Sequence, residues 1–224
     1  MAEEPTGAVA PRRRERRPDQ LAGGPHGMSR EEVEANQSRR ILAAMTELVA
    51  EQGYERTTVE PVITRAGVSR KTFYELRGGR EQWFLAICNM AADRLLARLE
   101  AATREPGYPD DRTGRAAAAL VGFCIEDPAG ARICFVETLA ASEGARAWRD
   151  ALLDHVAATL AFGMAGDGNG AAAADGRRAE LAARAAVGAV LELAGRRPEQ
   201  LDRDYATALV ATMLGTDGRG GADG

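Results

Sequence analysis

From residue 36 onward, apolar residues recur at helical spacing in segments separated by glycine, proline and short polar breaks. The first apolar face comprises Ile41, Leu42, Met45, Leu48 and Val49. The same period predicts further helices at 58–66, 69–76, 80–103, 112–126, 129–141, 144–163, 177–194 and 199–214. No segment has the strict alternation typical of a half-buried strand, so the sequence predicts an all-α protein of nine helices.

The two ends of the chain lack this periodicity. Residues 1–35 contain four prolines, several glycines and an arginine-rich run at 12–17, with few large apolar side chains. Such a segment buries too little apolar surface to offset its ordering entropy, so we predict a disordered extension over 1–35 and a disordered tail over 216–224. For the arginine run we favour a solvated tail over contact with DNA phosphates.

Composition limits the classes of protein that the chain can belong to. The longest uncharged apolar stretch, 116–125, falls short of the roughly 20 residues that span a bilayer, and no secretory signal is visible. The three cysteines lack CxxC spacing and only two histidines are present, so we predict no metal site. We expect buried thiols in a cytoplasmic protein.

Charge is unevenly distributed along the chain. A net charge of −4 argues, taken alone, against a nucleic-acid-binding protein. Within 65–80, however, five residues are basic and one, Glu75, is acidic. These are Arg65, Arg70, Lys71, Arg77 and Arg80. A local basic patch on an acidic body is typical of site-specific DNA-binding proteins.

The short helices 58–66 and 69–76 have the dimensions of a helix-turn-helix. We predict a capping box between Thr57 and Glu60 before the first helix, and Ser69 as the N-cap of the second. Val68 and Phe73 are expected to pack inward. The polar side chains left to enter a major groove are those of Ser69, Arg70, Lys71, Thr72 and Tyr74.

This region resembles the N-terminal domain of the tetracycline-repressor-like (TetR) transcriptional regulators. The resemblance is carried by Ile41-Leu42-Ala43-Ala44, Gly53-Tyr54, Thr57-Thr58-Val59, Ala66-Gly67-Val68-Ser69, Thr72-Phe73-Tyr74 and Arg80-Glu81. It implies a three-helix DNA-binding domain over 36–95, joined by a long helix to a ligand-binding and dimerisation bundle over 96–215. The implied protein is a dimeric repressor that binds a near-palindromic operator on double-stranded DNA and is released by a small-molecule effector.

The resemblance also implies which residues contact DNA. They are Thr57 or Thr58, Ser69, Arg70, Lys71, Thr72, Tyr74 and Arg80. The chain departs from the family pattern at Leu76 and Arg77, where histidine and phenylalanine are usual, and at Pro61 and Ile63. We expect Arg77 to extend toward phosphate instead of filling the core.

The C-terminal half offers weaker signals. Candidate lining residues for an effector pocket are Phe123, Phe135, Trp148, His155 and Phe162. His155 has a second interpretation, as a satisfied core residue. Glu137 and Glu192 lie inside apolar helices, and each either pairs with an arginine or faces solvent. We predict a homodimer through residues 177–214, because the apolar faces there exceed what one subunit can hide.

Catalytic and cofactor motifs are missing from the sequence. It contains no GxGxxG after a strand, no GxxxxGK[ST], no GxSxG and no HExxH, so we predict neither an enzyme nor a bound cofactor. Two alternatives to a repressor stay open. One is a helical dimer with a degenerate DNA-binding arm that acts through protein contacts, and the other is a transcriptional activator of the same fold.

Overall fold

The computed structural model describes residues 29–104, 109–162, 172–196 and 202–214. Within these ranges the chain forms nine helices and no strand, which confirms the predicted all-α class. The helices are α1 (Arg30–Gln52), α2 (Val59–Ala66), α3 (Arg70–Arg77), α4 (Arg80–Arg104), α5 (Pro109–Glu126), α6 (Pro128–Arg132 continuing through Ile133–Glu137 and Thr138–Ala141), α7 (Glu143–Phe162), α8 (Ala172–Arg196) and α9 (Arg203–Leu214).

The first helix begins earlier than its apolar pattern predicts. Ser29 accepts a hydrogen bond from the backbone N–H of Glu32 at 3.2 Å, and the Glu32 carboxylate accepts one from the Ser29 N–H at 2.6 Å. This reciprocal capping box starts α1 at Arg30. The prediction of disorder is therefore wrong for residues 30–35, whereas 1–28 and the tail 216–224 lie outside the described residues.

Two apolar cores are stacked along α4. The first, which we call the head core, joins α1–α3 to the start of α4 and contains large side chains such as Phe73, Trp83 and Phe84. We use "head" for residues 29–88. Ile133 of α6 and Ala145 of α7 also pack into this core, so the head is seated directly on the rest of the molecule.

The second core belongs to what we call the bundle, the remainder of α4 together with α5–α9. Its buried residues come from α4–α9, and alanine is the commonest among them. Along α4 the buried side chains pass from the head core to the bundle core between Cys88 and Ala91. In the described part of the chain, no helix is both long enough and apolar enough to cross a membrane.

Candidate nucleic-acid interface

A glycine makes the tight turn between α2 and α3. Gly67 has φ +65°, a left-handed conformation that glycine adopts without the Cβ penalty of other residues. The following N–H, of Val68, donates to the carbonyl of Ile63 at 3.1 Å. From α1, Arg40 donates to the carbonyl oxygens of Ala66 at 2.7 Å and Gly67 at 3.3 Å. These two hydrogen bonds hold the turn against α1.

The rotation of α3 about its own axis is fixed by its buried side. Ser69 caps the helix by accepting from the Thr72 N–H at 3.0 Å, as predicted. Phe73 is fully buried, and its carbonyl oxygen accepts a hydrogen bond from the Trp83 indole at 3.0 Å. With Phe73 held against α4, the opposite side of α3 must face outward.

That outward side carries the polar residues that the sequence singles out. Ser69, Arg70, Lys71 and Tyr74 are exposed, and Thr72 is partly buried. We call these five residues the α3 face. Arg70 pairs with Glu60 of α2 at 2.8 Å, and Lys71 lies 3.6 Å from Glu75. Exposed pairs of this kind contribute about 0–1 kcal/mol, so both cations can exchange their carboxylates for phosphates.

Two predictions about the start of α2 are wrong. Thr57 is fully buried, and its hydroxyl donates to the carbonyl of Gly53 at 2.7 Å. It therefore cannot offer its side chain to DNA, and it does not form a capping box with Glu60. Thr58 is the N-cap, without a side-chain capping bond, and it is exposed. Of the two threonines, Thr58 alone stays a candidate DNA contact.

The two arginines that flank α3 and α4 stack on aromatic rings. The Arg80 guanidinium lies 4.2 Å from the centre of the Tyr54 ring, and it donates to the carbonyl of Thr57 at 3.2 Å. Arg77 lies 5.1 Å from the centre of the Trp83 ring. Arg77 thus covers an aromatic side chain of the core in the position where the family usually has phenylalanine. Contact of either arginine with phosphate stays a prediction.

One residue of the basic patch, Arg65, forms an ion pair with another residue of the head. Arg65 donates two hydrogen bonds to the Glu51 carboxylate, at 2.7 and 2.8 Å. This pairing lowers the pKa of Glu51 and raises that of Arg65. The pair joins α2 to α1, and Arg65 therefore positions the motif. Arg40 has a similar role that the sequence pattern does not reveal, because its partners are backbone carbonyls.

Of the five residues predicted to line one effector pocket, the four whose side chains the structure describes do not line a common pocket. Phe123 is fully buried in the bundle core, with its ring edge-on to Phe135 at 6.4 Å. The Trp148 indole donates to Asn89 of α4 at 2.8 Å. His155 is exposed and lines a separate depression between α4 and α7. The side chain of Phe162 lies outside the described residues.

A groove of about 550 Å³ runs between α6, α7 and α8. Its apolar lining comprises Phe135, Val136, Leu139, Leu153, Val187 and Leu191. Arg149, Arg184 and Glu192 also line it. Among the predicted pocket residues whose side chains are described, Phe135 alone lies here. Among the residues that the structure describes, no three His, Cys, Asp or Glu side chains gather closely enough to hold a metal ion.

Comparison with known proteins agrees with this arrangement. Residues 41–87 match the family model "Bacterial regulatory proteins, tetR family". The HTH-type transcriptional activator FasR of Mycolicibacterium smegmatis is 28% identical over 127 residues, 57% of this chain, and the match spans 56% of that protein. This chain thus aligns with about half the length of its curated relative.

Solved structures share the fold over a larger part of the chain. A bacterial regulatory protein in the tetR family from Rhodococcus RHA1 superposes with a TM-score of 0.65 at 22% identity, covering 81% of this chain and 97% of that one. AibR, solved in complex with isovaleryl coenzyme A and operator DNA, superposes with a TM-score of 0.62 at 16% identity, covering 80% and 98%. At these identities the likeness establishes the fold.

A helix-turn-helix is a supersecondary motif that, in DNA-binding proteins, places its second helix in the major groove. The family model of the tetR bacterial regulatory proteins matches the head over residues 41–87, and the described chain shares its fold with solved members of that family.

Proposed function

We propose that this protein is a sequence-specific DNA-binding transcription regulator, a repressor that a small molecule releases from its operator. The observation that carries the proposal is the α3 face, which is polar, exposed except at the partly buried Thr72, and set in one orientation by the buried Phe73. A recognition helix needs this combination, because its outer side must reach base edges while its inner side stays fixed.

The structural setting of Leu76 and Arg77 favours DNA binding over the alternative of a degenerate arm. Leu76 packs, partly buried, against the head core, and Arg77 stacks on Trp83. Both departures from the family pattern are accommodated while α3 keeps its eight residues and its N-cap.

The direction of regulation has two candidates. The resemblance to the family favours a repressor, whereas FasR, the relative aligned over 127 residues, is named as an activator. Both roles use the same contact between α3 and DNA. We place the protein in the cytoplasm, where its free and buried Cys88, Cys124 and Cys134 stay reduced.

The effector site that we propose is the groove between α6, α7 and α8. Its apolar lining suits an alkyl or acyl chain. Arg184 pairs with Asp154 at 2.8 Å in an exposed ion pair, and it can exchange that carboxylate for the anionic end of such a ligand. AibR, which has the same fold, was solved with an acyl coenzyme A. We expect octanoyl coenzyme A to release the protein from its DNA site, whereas coenzyme A alone leaves the complex intact.

We further propose a homodimer through 177–214. Leu181 of α8 and Tyr205 of α9 are large apolar side chains left 68% and 65% exposed, and a second copy would cover them. Sedimentation of the full chain at micromolar concentration should give twice the monomer mass. Leu181→Glu should shift this equilibrium toward the monomer, because it places a charge in the interface.

The DNA proposal is tested by selecting binding sites from a random duplex library. We expect one near-palindromic sequence to be enriched, with an affinity that falls at least tenfold between 50 and 200 mM salt, because phosphate contacts release counterions. Binding without any sequence preference, or no binding at low salt, would contradict the proposal and favour a protein that acts through protein contacts.

A further inference from the structure

One turn of α6 connects the effector groove to the head. Residues Ile133–Glu137 are π-helical, a rare geometry that inserts one extra residue into a helix and often marks functional sites. Within this turn, Phe135 and Val136 line the groove, whereas Ile133 packs into the head core. The turn is therefore shared between the two parts of the molecule.

The last residue of the turn holds the head by a buried carboxylate. Glu137 is 7% exposed. One of its oxygens accepts the backbone N–H of Tyr54 at 2.7 Å, and the other accepts the Arg132 guanidinium at 2.8 Å. Tyr54 belongs to the loop between α1 and α2, 83 residues away in sequence. A buried carboxylate is costly without such partners, so this contact has a strict geometry.

The approach of Glu137 to the loop leaves no spare room. Gly53 has φ +82°, and a Cβ atom placed on it would lie 3.0 Å from a Glu137 oxygen. The loop therefore needs glycine both for its backbone conformation and for the carboxylate that rests against it. A displacement of the π-helical turn by a fraction of an ångström would lengthen the bond to Tyr54 or press on Gly53.

Tyr54 in turn touches groups beside the α3 face. Its ring packs against Phe84 at 4.3 Å, and Arg80 lies across it at 4.2 Å. Arg80 also donates to the carbonyl of Thr57, next to the residue that caps α2. The position of Tyr54 thus affects both a candidate phosphate contact and the start of the helix-turn-helix.

We propose that Glu137 is a positioning residue that couples occupancy of the groove to the seating of the head on DNA. This inference rests on the proposed function and names how it is regulated. A molecule that presses on Phe135 and Val136 moves the turn, Glu137 moves with it, and the loop at Tyr54 loses its anchor. The coupling works equally in the other direction, because linkage between two sites is reciprocal.

A glycine in the groove allows the test without any effector. Gly188 of α8 lines the groove, and a Cβ atom placed on it would meet nothing within 4 Å. Gly188→Phe therefore fills the groove from within, and Gly188→Ala is the matched control on the same helix. If Gly188→Phe does not fold, Leu139→Trp, at a half-exposed lining position, is the second filler.

Two readouts follow from this design. Hydrogen exchange at the Tyr54 amide of the free protein should quicken about tenfold in Gly188→Phe, and affinity for the selected duplex should fall about tenfold, both within the usual range of allosteric coupling. Gly188→Ala should leave both unchanged. Unchanged exchange in the filled variant would overturn the inference even if no DNA site were found, so its failure is distinct from failure of the proposed function.

The role of Glu137 itself is tested by a pair of variants of similar size. Glu137→Gln keeps an oxygen for the Tyr54 N–H, whereas Glu137→Met does not. We expect Gly188→Phe to weaken DNA binding in the Gln background and to have no further effect in the Met background. An equal effect of Gly188→Phe in both backgrounds would show that the coupling bypasses Glu137. Urea unfolding of each variant verifies that the comparison is between folded proteins.

Discussion

The head and the bundle are both helical, yet they are built from different side chains. The head core depends on large, singular residues, among them Phe73, Trp83 and Phe84, each with a defined ring contact or hydrogen bond. The bundle core is dominated by alanine, with leucine and valine between. Large aromatic residues that pack in specific ring geometries fix one arrangement, whereas close packing of small residues fixes helix spacing with little dependence on any one side chain.

This difference fits the tasks that we propose for the two parts. A DNA-reading head must hold the α3 face in one orientation, so its packing residues are individually required. The bundle must hold helices together while leaving a groove between α6, α7 and α8. Its distinctive chemistry therefore lies at its surface and at the π-helical turn, and its core is generic.

Phe73→Ala should cause the largest loss in the free energy of unfolding, because it removes the side chain that anchors α3 in the head core. The ring is fully buried between α3 and α4, and truncation of such a residue costs about 3–5 kcal/mol in the free energy of unfolding. Urea unfolding measures the loss, and Tyr74→Ala, next in sequence but exposed, is the control. A loss below about 1 kcal/mol would mean that Phe73 does not anchor α3.

Ala186→Leu tests whether the bundle core is closely packed. Ala186 is fully buried on α8, and a larger side chain in a closely packed core costs about 1–3 kcal/mol. Ala185→Leu, an exposed neighbour on the same helix, should leave the free energy of unfolding unchanged. If both variants unfold at the same urea concentration as the parent, the bundle is less closely packed than described.

Gly67→Ala should have a smaller effect, confined to the turn of the helix-turn-helix. A left-handed conformation costs an alanine about 1–2 kcal/mol relative to glycine. Thermal unfolding should detect this loss, whereas Gly188→Ala, at a helical glycine with open space around it, should be neutral or stabilising. Equal behaviour of the two variants would contradict the strain assigned to Gly67.

The smallest effect on the free energy of unfolding is expected from ionisation of the three buried cysteines, which is negligible at neutral pH. Burial raises the pKa of Cys88 and of Cys124 to about 12, from 9.0, and raises that of Cys134 as well. Since unfolded thiols ionise first, their contribution to stability is complete below about pH 9 and is lost as pH rises toward 12. At pH 8 we expect a thiol reagent to react only after urea unfolds the chain, and rapid reaction of the native protein would contradict the burial.

The sequence predicts more of the head than of the bundle. Helix period, the N-cap at Ser69 and the glycine turn are local signals, so α2 and α3 are predicted to within a residue or so. The start of α1 is missed because the Ser29–Glu32 capping box precedes the apolar pattern. The role of Thr57 is missed because its hydroxyl bonds to the carbonyl of Gly53 within the loop, and helical periodicity carries no information about that bond.

In the bundle, the helices are predictable but their contacts are not. The four predicted lining side chains that the structure describes share no pocket, because helix packing directs Phe123 into the core and His155 outward. Glu137 stands out in the sequence as an acid in an apolar helix. Its partner is a backbone N–H 83 residues away, however, and periodicity carries no information about such a pairing.

The α3 face is tested most directly by the affinity of three variants for the selected duplex. Lys71→Ala and Tyr74→Ala remove exposed side chains from it, and Arg104→Ala removes an exposed cation about 36 Å from Arg80 along α4. We predict that the first two each weaken binding by about 1–3 kcal/mol, with circular dichroism and assembly mass unchanged, while Arg104→Ala binds like the parent. Parental affinity in both Lys71→Ala and Tyr74→Ala would show that α3 is not the helix that reads DNA.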